Sequence, residues 1–265
     1  MARSRAAAGS RRGRGAVVFV HGNASTKAIW DGVIAAMPNA YRCVAFDLPG
    51  HGAREREDIR GFEEFTEALI GAMDGLGSEP VHLVGHSLGG LVCADIARRF
   101  PDRIRTLCLL ATPFDRTPQQ FEAASAFLGR VEREGLFENL SRMKDRWYSE
   151  EFSRRNPDVI SARLAQLRKM DAGRFLATYR LYIDKNNETN AADLQMPVFL
   201  LSGAMADGFD TSHQCHLAER HANITCLHYP GMKNGILTEC PARIARDLDE
   251  FFTAHCPAAM LRGHD

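Results

Sequence analysis

Val81-His82-Leu83-Val84-Gly85-His86-Ser87-Leu88-Gly89-Gly90-Leu91 reads as a short apolar strand, a Gly-x-Ser-x-Gly turn and the start of a helix. The order of the three parts decides the fold. A serine with glycine two residues to either side occupies a turn so tight that the neighbouring strand and helix pass where side chains would otherwise stand. Such a turn lifts the hydroxyl above the carboxyl edge of a parallel sheet, beside a helix N-terminus whose free N–H groups favour developing negative charge.

On either side of this stretch, apolar β-branched runs recur at 16–20, 43–46, 104–111, 198–201 and 224–228. Continuous runs of this kind suit strands buried on both faces. Helical periodicity falls between them, at 26–37, 62–76, 88–100 and 244–252, so the pattern predicts an α/β fold with a doubly wound, mostly parallel sheet. The alternation breaks once. From 113 to 193 the pattern is helical throughout (119–134, 136–147, 157–170, 172–184), which predicts a helical lid inserted into a core formed by 16–112 and 194–256. The lid's aromatic residues, Phe121, Phe127, Phe137, Trp147, Tyr148, Phe175, Tyr179 and Tyr182 among them, are expected mainly in its own core. Residues 1–15 are rich in arginine, lack acids and are too poor in apolar residues to join a core, so a disordered basic tail is expected there.

The chain resembles the α/β-hydrolase superfamily from residue 16 to about 255. His21-Gly22-Asn23 after the first strand is similar to that family's oxyanion loop, and the resemblance implies backbone N–H donors from Asn23 and Leu88. Asp47-Leu48-Pro49-Gly50-His51-Gly52 resembles its D-x-P-G-x-G turn, which makes Asp47 and His51 turn-formers. With Trp30, the His-Gly-Asn motif is also similar to haloalkane dehalogenases and some acyl-homoserine lactonases, although those dehalogenases carry aspartate where this chain has Ser87. The family's acid is expected after the 198–201 strand: Asp207 is the candidate, with Asp210 and Asp115 as alternatives.

The family's histidine is expected in a P-G-x-x-H turn followed by E-x-P. Here Pro230-Gly231-Met232-Lys233-Asn234 is followed by Glu239-Cys240-Pro241, so every landmark except the histidine is present. The change is chemical: imidazole takes up a proton near neutrality, whereas a carboxamide has no basic lone pair there. His21, His86, His213, His216 and His228 are the possible substitutes, each expected to be a packed or surface residue.

Among the 265 residues, 33 basic side chains balance 33 acidic ones, and this balance gives no sign of a nucleic-acid partner. No apolar run approaches the ~20 residues that span a bilayer. Seven cysteines without C-x-x-C spacing suit a reducing cytoplasm and argue against a metal site. The resemblance implies no cofactor. The expected function is a serine hydrolase acting on an ester, lactone, thioester or activated C–C bond of a small to medium, partly apolar acyl compound, impaired by Asn234. A lyase or isomerase on the same fold, and a ligand-binding protein without turnover, are the alternatives.

Overall fold

The computed structural model describes residues 13–185, 189–205 and 211–256. Six strands, β1 (Gly15–Val20), β2 (Tyr41–Phe46), β3 (Val81–His86), β4 (Ile104–Leu110), β5 (Val198–Gly203) and β6 (Ile224–Tyr229), form one sheet in the order β2-β1-β3-β4-β5-β6. Every neighbouring pair is parallel, as buried apolar strands joined by helical crossovers require.

Helices cover both faces. On one side lie α1 (Asp31–Ala36), α10 (Ile236–Glu239) and α11 (Pro241–Ala254), packed around Phe19, Val33, Leu201 and Phe252. On the other lie α2 (Glu63–Asp74), α3 (Leu88–Arg99) and α9 (Thr211–Arg220), around Leu69, Leu83, Ile96 and Leu200. Trp30 is fully buried against Phe19, with ring centroids 5.0 Å apart, and so belongs to the core.

Between β4 and β5 come α4 (Pro118–Glu134), α5 (Leu140–Trp147), α6 (Glu150–Arg155), α7 (Pro157–Leu167) and α8 (Ala172–Asp184). They share a small core of their own, including Val131, Leu140, Met143, Leu167 and Phe175. α6 is absent from the periodicity because Glu150 to Arg155 has one large apolar residue, Phe152; its start is set by Ser149, whose hydroxyl accepts from the Phe152 N–H at 3.2 Å. The helix expected over 26–37 is a 3-10 turn leading into the six-residue α1. No helix among the described residues is long and apolar enough to cross a membrane.

The register sets the site. Val20 pairs with Gly85, His86 with Leu110, Leu110 with Leu201, and Gly203 with Tyr229. The carboxyl ends of five strands therefore lie level, and the segments leaving them converge on one edge of the sheet.

Candidate active site

Ser87 stands between β3 and α3 with φ 53° and ψ −117°, a conformation that side chains disfavour. Its N–H donates to the Leu110 carbonyl at 3.0 Å and its own carbonyl accepts from Gly90 and Leu91, so backbone bonds on both sides hold the turn. The flanking glycines are required by close approach. A Cβ on Gly85 would lie 2.5 Å from the Gly89 carbonyl oxygen, and one on Gly89 would strike the carbonyls of Val20 and His21. As the first residue of α3, Leu88 has a backbone N–H with no acceptor inside the helix.

The His21–Asn23 loop lies against this elbow, since a Cβ on Gly22 would come 3.0 Å from Ser87 Cβ. His21 is fully buried; its Nε2 accepts from the Leu48 N–H at 3.1 Å and its Nδ1 donates to the Gly22 carbonyl at 2.8 Å. Burial, reinforced by the nearby His51, pushes its pKa down to about 3, so it is a neutral structural ring. Asp47 accepts from the backbone N–H groups of Lys27 and Ala53, and a Cβ on Gly52 would run into its carboxylate. Both residues serve the turns.

Helices of the insertion brace the same loop. Asn23 Oδ1 accepts from the Thr178 hydroxyl of α8 at 2.8 Å and lies 3.1 Å from His51 Nε2, while Arg163 of α7 donates to the Ala24 carbonyl at 2.6 Å. Ala24 has a positive φ of 59°, so this outside support holds a strained turn.

Asn234 lines the same cleft as Ser87. Its turn is clamped on both sides. Gly235 donates its N–H to the Trp147 carbonyl at 2.6 Å, Lys233 Nζ donates to the Asp145 carbonyl at 2.6 Å, and Glu239 accepts from both the N–H and the hydroxyl of Ser149. The turn also crosses directly over the end of β5, where a Cβ on Gly203 would clash with the Met232 and Lys233 carbonyls. Asn234 Oδ1 is buried with no hydrogen-bond partner among the described residues, and so is His86 Nδ1. His86 Nε2 lies 3.4 Å from the Asn234 carbonyl, and burial pushes the ring's pKa down to about 4.

Asp207 and Asp210 lie outside the described residues. The segment leading to them runs beside the Asn234 turn, with Ala204 N–H donating to the Tyr229 carbonyl and Met205 N–H to the Met232 carbonyl, each at 2.9 Å. Asp115 does not line the cleft; its carbonyl accepts from His213 Nε2 at 2.6 Å. His216 faces Glu219 on the surface and His228 faces Cys215, Cys226 and Ser202, so neither meets Ser87.

The cleft has a cavity volume of about 110 Å³ and opens to solvent. Phe127, Trp147, Tyr148, Phe175, Tyr179 and Tyr182 all line it, more of the insertion's aromatic residues than the sequence suggested. The reason is thickness: a single layer of helices shares one apolar face between its own core and the cleft beneath. Two arginines, absent from the sequence reading, also line the cleft. Arg146 lies 5.6 Å from the Phe127 ring and Arg163 lies 5.3 Å from the Trp147 ring. Neither pairs with a carboxylate among the described residues; Arg163 donates to Gln166 Oε1 at 2.8 Å as well as to the Ala24 carbonyl, and burial lowers its pKa from the ordinary value. One signal was available in the sequence. Arg163 falls on the apolar stripe of Ile160 and Leu167 with no acid three or four residues away.

A strained serine at a strand-to-helix turn, set under a helical insertion at the carboxyl edge of a parallel sheet, defines the class of α/β-hydrolase folds. The model of the Alpha/beta hydrolase family matches residues 17–248, and the chain belongs to that family. It is 34% identical over 99 residues to a pimeloyl-[acyl-carrier protein] methyl ester esterase of Neisseria meningitidis, a match covering 36% of this chain and 36% of that relative. It is 21% identical over 206 residues to 3-oxoadipate enol-lactonase 1 of Acinetobacter baylyi, covering 78% and 76% of the two chains. A thermophilic esterase from Thermogutta terrifontis has the same fold, with a TM-score of 0.76, 22% identity and coverage of 91% and 90%.

Proposed function

We propose that this chain is a serine hydrolase by construction, with Ser87 as nucleophile, that acts on an ester, lactone or related acyl bond and is slowed by Asn234. The observation that carries the reading is the strained Ser87 backbone on the floor of the cleft. In this mechanism Oγ bonds to the acyl carbon, the Asn23 and Leu88 N–H groups hold the oxyanion, the alcohol or thiol leaves, and water releases the acid. The Oγ proton must reach the leaving group. A histidine at 234, oriented by Asp207, would carry it; Asn234 holds the position without the basicity. The activities of the esterase and enol-lactonase relatives support a carboxylic ester bond.

Arg146 and Arg163 narrow the substrate. Two cations in an aromatic cleft without a carboxylate partner favour a ligand that brings its own anion, so the acyl compound carries a carboxylate or similar group.

The test compares this chain with Asn234→His. A fluorophosphonate probe is expected to label the substituted protein rapidly and the parent slowly, with ester turnover rising at least about a thousandfold. The restored enzyme should prefer a monoanionic ester to its neutral diester, and Arg146→Gln should raise KM for the anionic ester about tenfold. No gain from Asn234→His would refute the hydrolase reading. Ligand binding without turnover in both proteins would instead favour a binding role, to which the unpartnered Asn234 Oδ1 is suited.

A further inference from the structure

Cys226 and His228 alternate along the edge strand β6 and therefore face the same side of the sheet, and α9 packs there with Cys215. The sulfur atoms of Cys215 and Cys226 are 3.9 Å apart, and His228 Nε2 lies 3.4 Å from the first and 3.0 Å from the second. Around a tetrahedral zinc ion, bonds of about 2.3 Å to sulfur and about 2.0 Å to nitrogen separate two sulfurs by about 3.8 Å and sulfur from nitrogen by about 3.5 Å. Every side of the observed triangle is within about half an ångström of those values.

The hydrogen bonds behind the ring supply a second argument. Ser202, fully buried, donates its hydroxyl proton to Gln214 Oε1 at 3.1 Å, so its oxygen is left to accept the Nδ1–H of His228 at 2.8 Å. That fixes the tautomer and turns the Nε2 lone pair toward the two sulfurs. Metal-binding histidines are oriented through their other ring nitrogen by a carboxylate, a backbone carbonyl or water, and here the buried Ser202 hydroxyl stands in that place. Cys215 is exposed and Cys226 half-buried, which leaves an entry path and room for water as fourth ligand.

We propose that Cys215, Cys226 and His228 bind one zinc-class divalent cation, clipping α9 to β6 at a site separate from the Ser87 cleft. Each thiol gives its proton to solvent and its sulfur lone pair to the metal, so two protons leave per ion bound. The clip joins the helix that follows residues 206–210 to the strand that runs into the Asn234 turn, and it steadies that end of the sheet.

Reduced, chelator-stripped full-length protein titrated with Co²⁺ is expected to take up one equivalent, with visible bands of tetrahedral cobalt and a thiolate charge-transfer band, all displaced by Zn²⁺. Cys215→Ser and His228→Gln should each remove the bands, Cys43→Ser should leave them, and Ser202→Ala should weaken Zn²⁺ binding about 10- to 100-fold. Because Cys215 is exposed, its serine variant keeps the fold, and circular dichroism verifies this. Absence of the bands at one equivalent would overturn the proposal, as would bands that survive Cys215→Ser. A Cys215–Cys226 disulfide in place of metal uptake would overturn it equally.

Discussion

Ser87 illustrates how one residue's backbone can be unfavourable and yet retained. Its φ of 53° with ψ of −117° belongs to a region that glycine enters freely and a side chain does not. Ser87→Gly is therefore expected to stabilise the protein by about 1 kcal/mol while abolishing probe labelling, and Ser87→Ala to abolish labelling without that gain. Equal urea midpoints for the two variants would show that the turn carries no strain. Much of this residue-level picture is legible in the sequence, because the glycines at 85 and 89 record where other backbone must pass. The place of Arg146 and Arg163 in the cleft is not. An arginine's meaning depends on which charges face it across space, and those come from other helices.

At the scale of elements, the turn carrying Asn234 and the helical insertion hold one another. Glu239 of α10 accepts two hydrogen bonds from Ser149, the residue that also caps α6. Glu239→Gln and Ser149→Ala are each expected to destabilise the protein by about 1–2 kcal/mol. Their double-mutant cycle should give a coupling near 1 kcal/mol, read from urea unfolding. Strictly additive effects would mean that the insertion is held elsewhere. The E-x-P landmark was visible in the sequence as Glu239-Cys240-Pro241, but its partner lies 90 residues away and no local pattern names it. Strands were the most legible elements, since burial on both faces leaves an unbroken apolar run. The short α6 and α10 were the least, being too brief to show a period.

For the whole molecule, the buried histidines set a dependence on pH. Burial pushes His21 down to about 3, and His82 and His86 to about 4. Each folded-state pKa lies below the unfolded value near ~6.5, so the unfolded chain binds more protons and stability falls as pH drops from about 6.5 toward 4. Each ring contributes up to about 1.4 kcal/mol per pH unit in that window. The urea midpoint should thus fall steeply between pH 7 and pH 5 and stay level between pH 7 and pH 8; a midpoint unchanged at pH 5 would show that these rings accept protons without unfolding. His82, stacked on Phe252 with centroids 4.1 Å apart in the opposite face of the sheet from α3, makes this a property of the core as much as of the site. By itself the sequence determined the parallel sheet and the glycine-flanked serine at its edge, because strand burial and tight turns are local properties. Tertiary structure alone decided the charged cleft, the bracing of Asn23 by Thr178 and the meeting of Cys215 with Cys226 and His228. Those depend on distances between segments far apart in the chain, and such distances exist only once the sheet and its helices have packed.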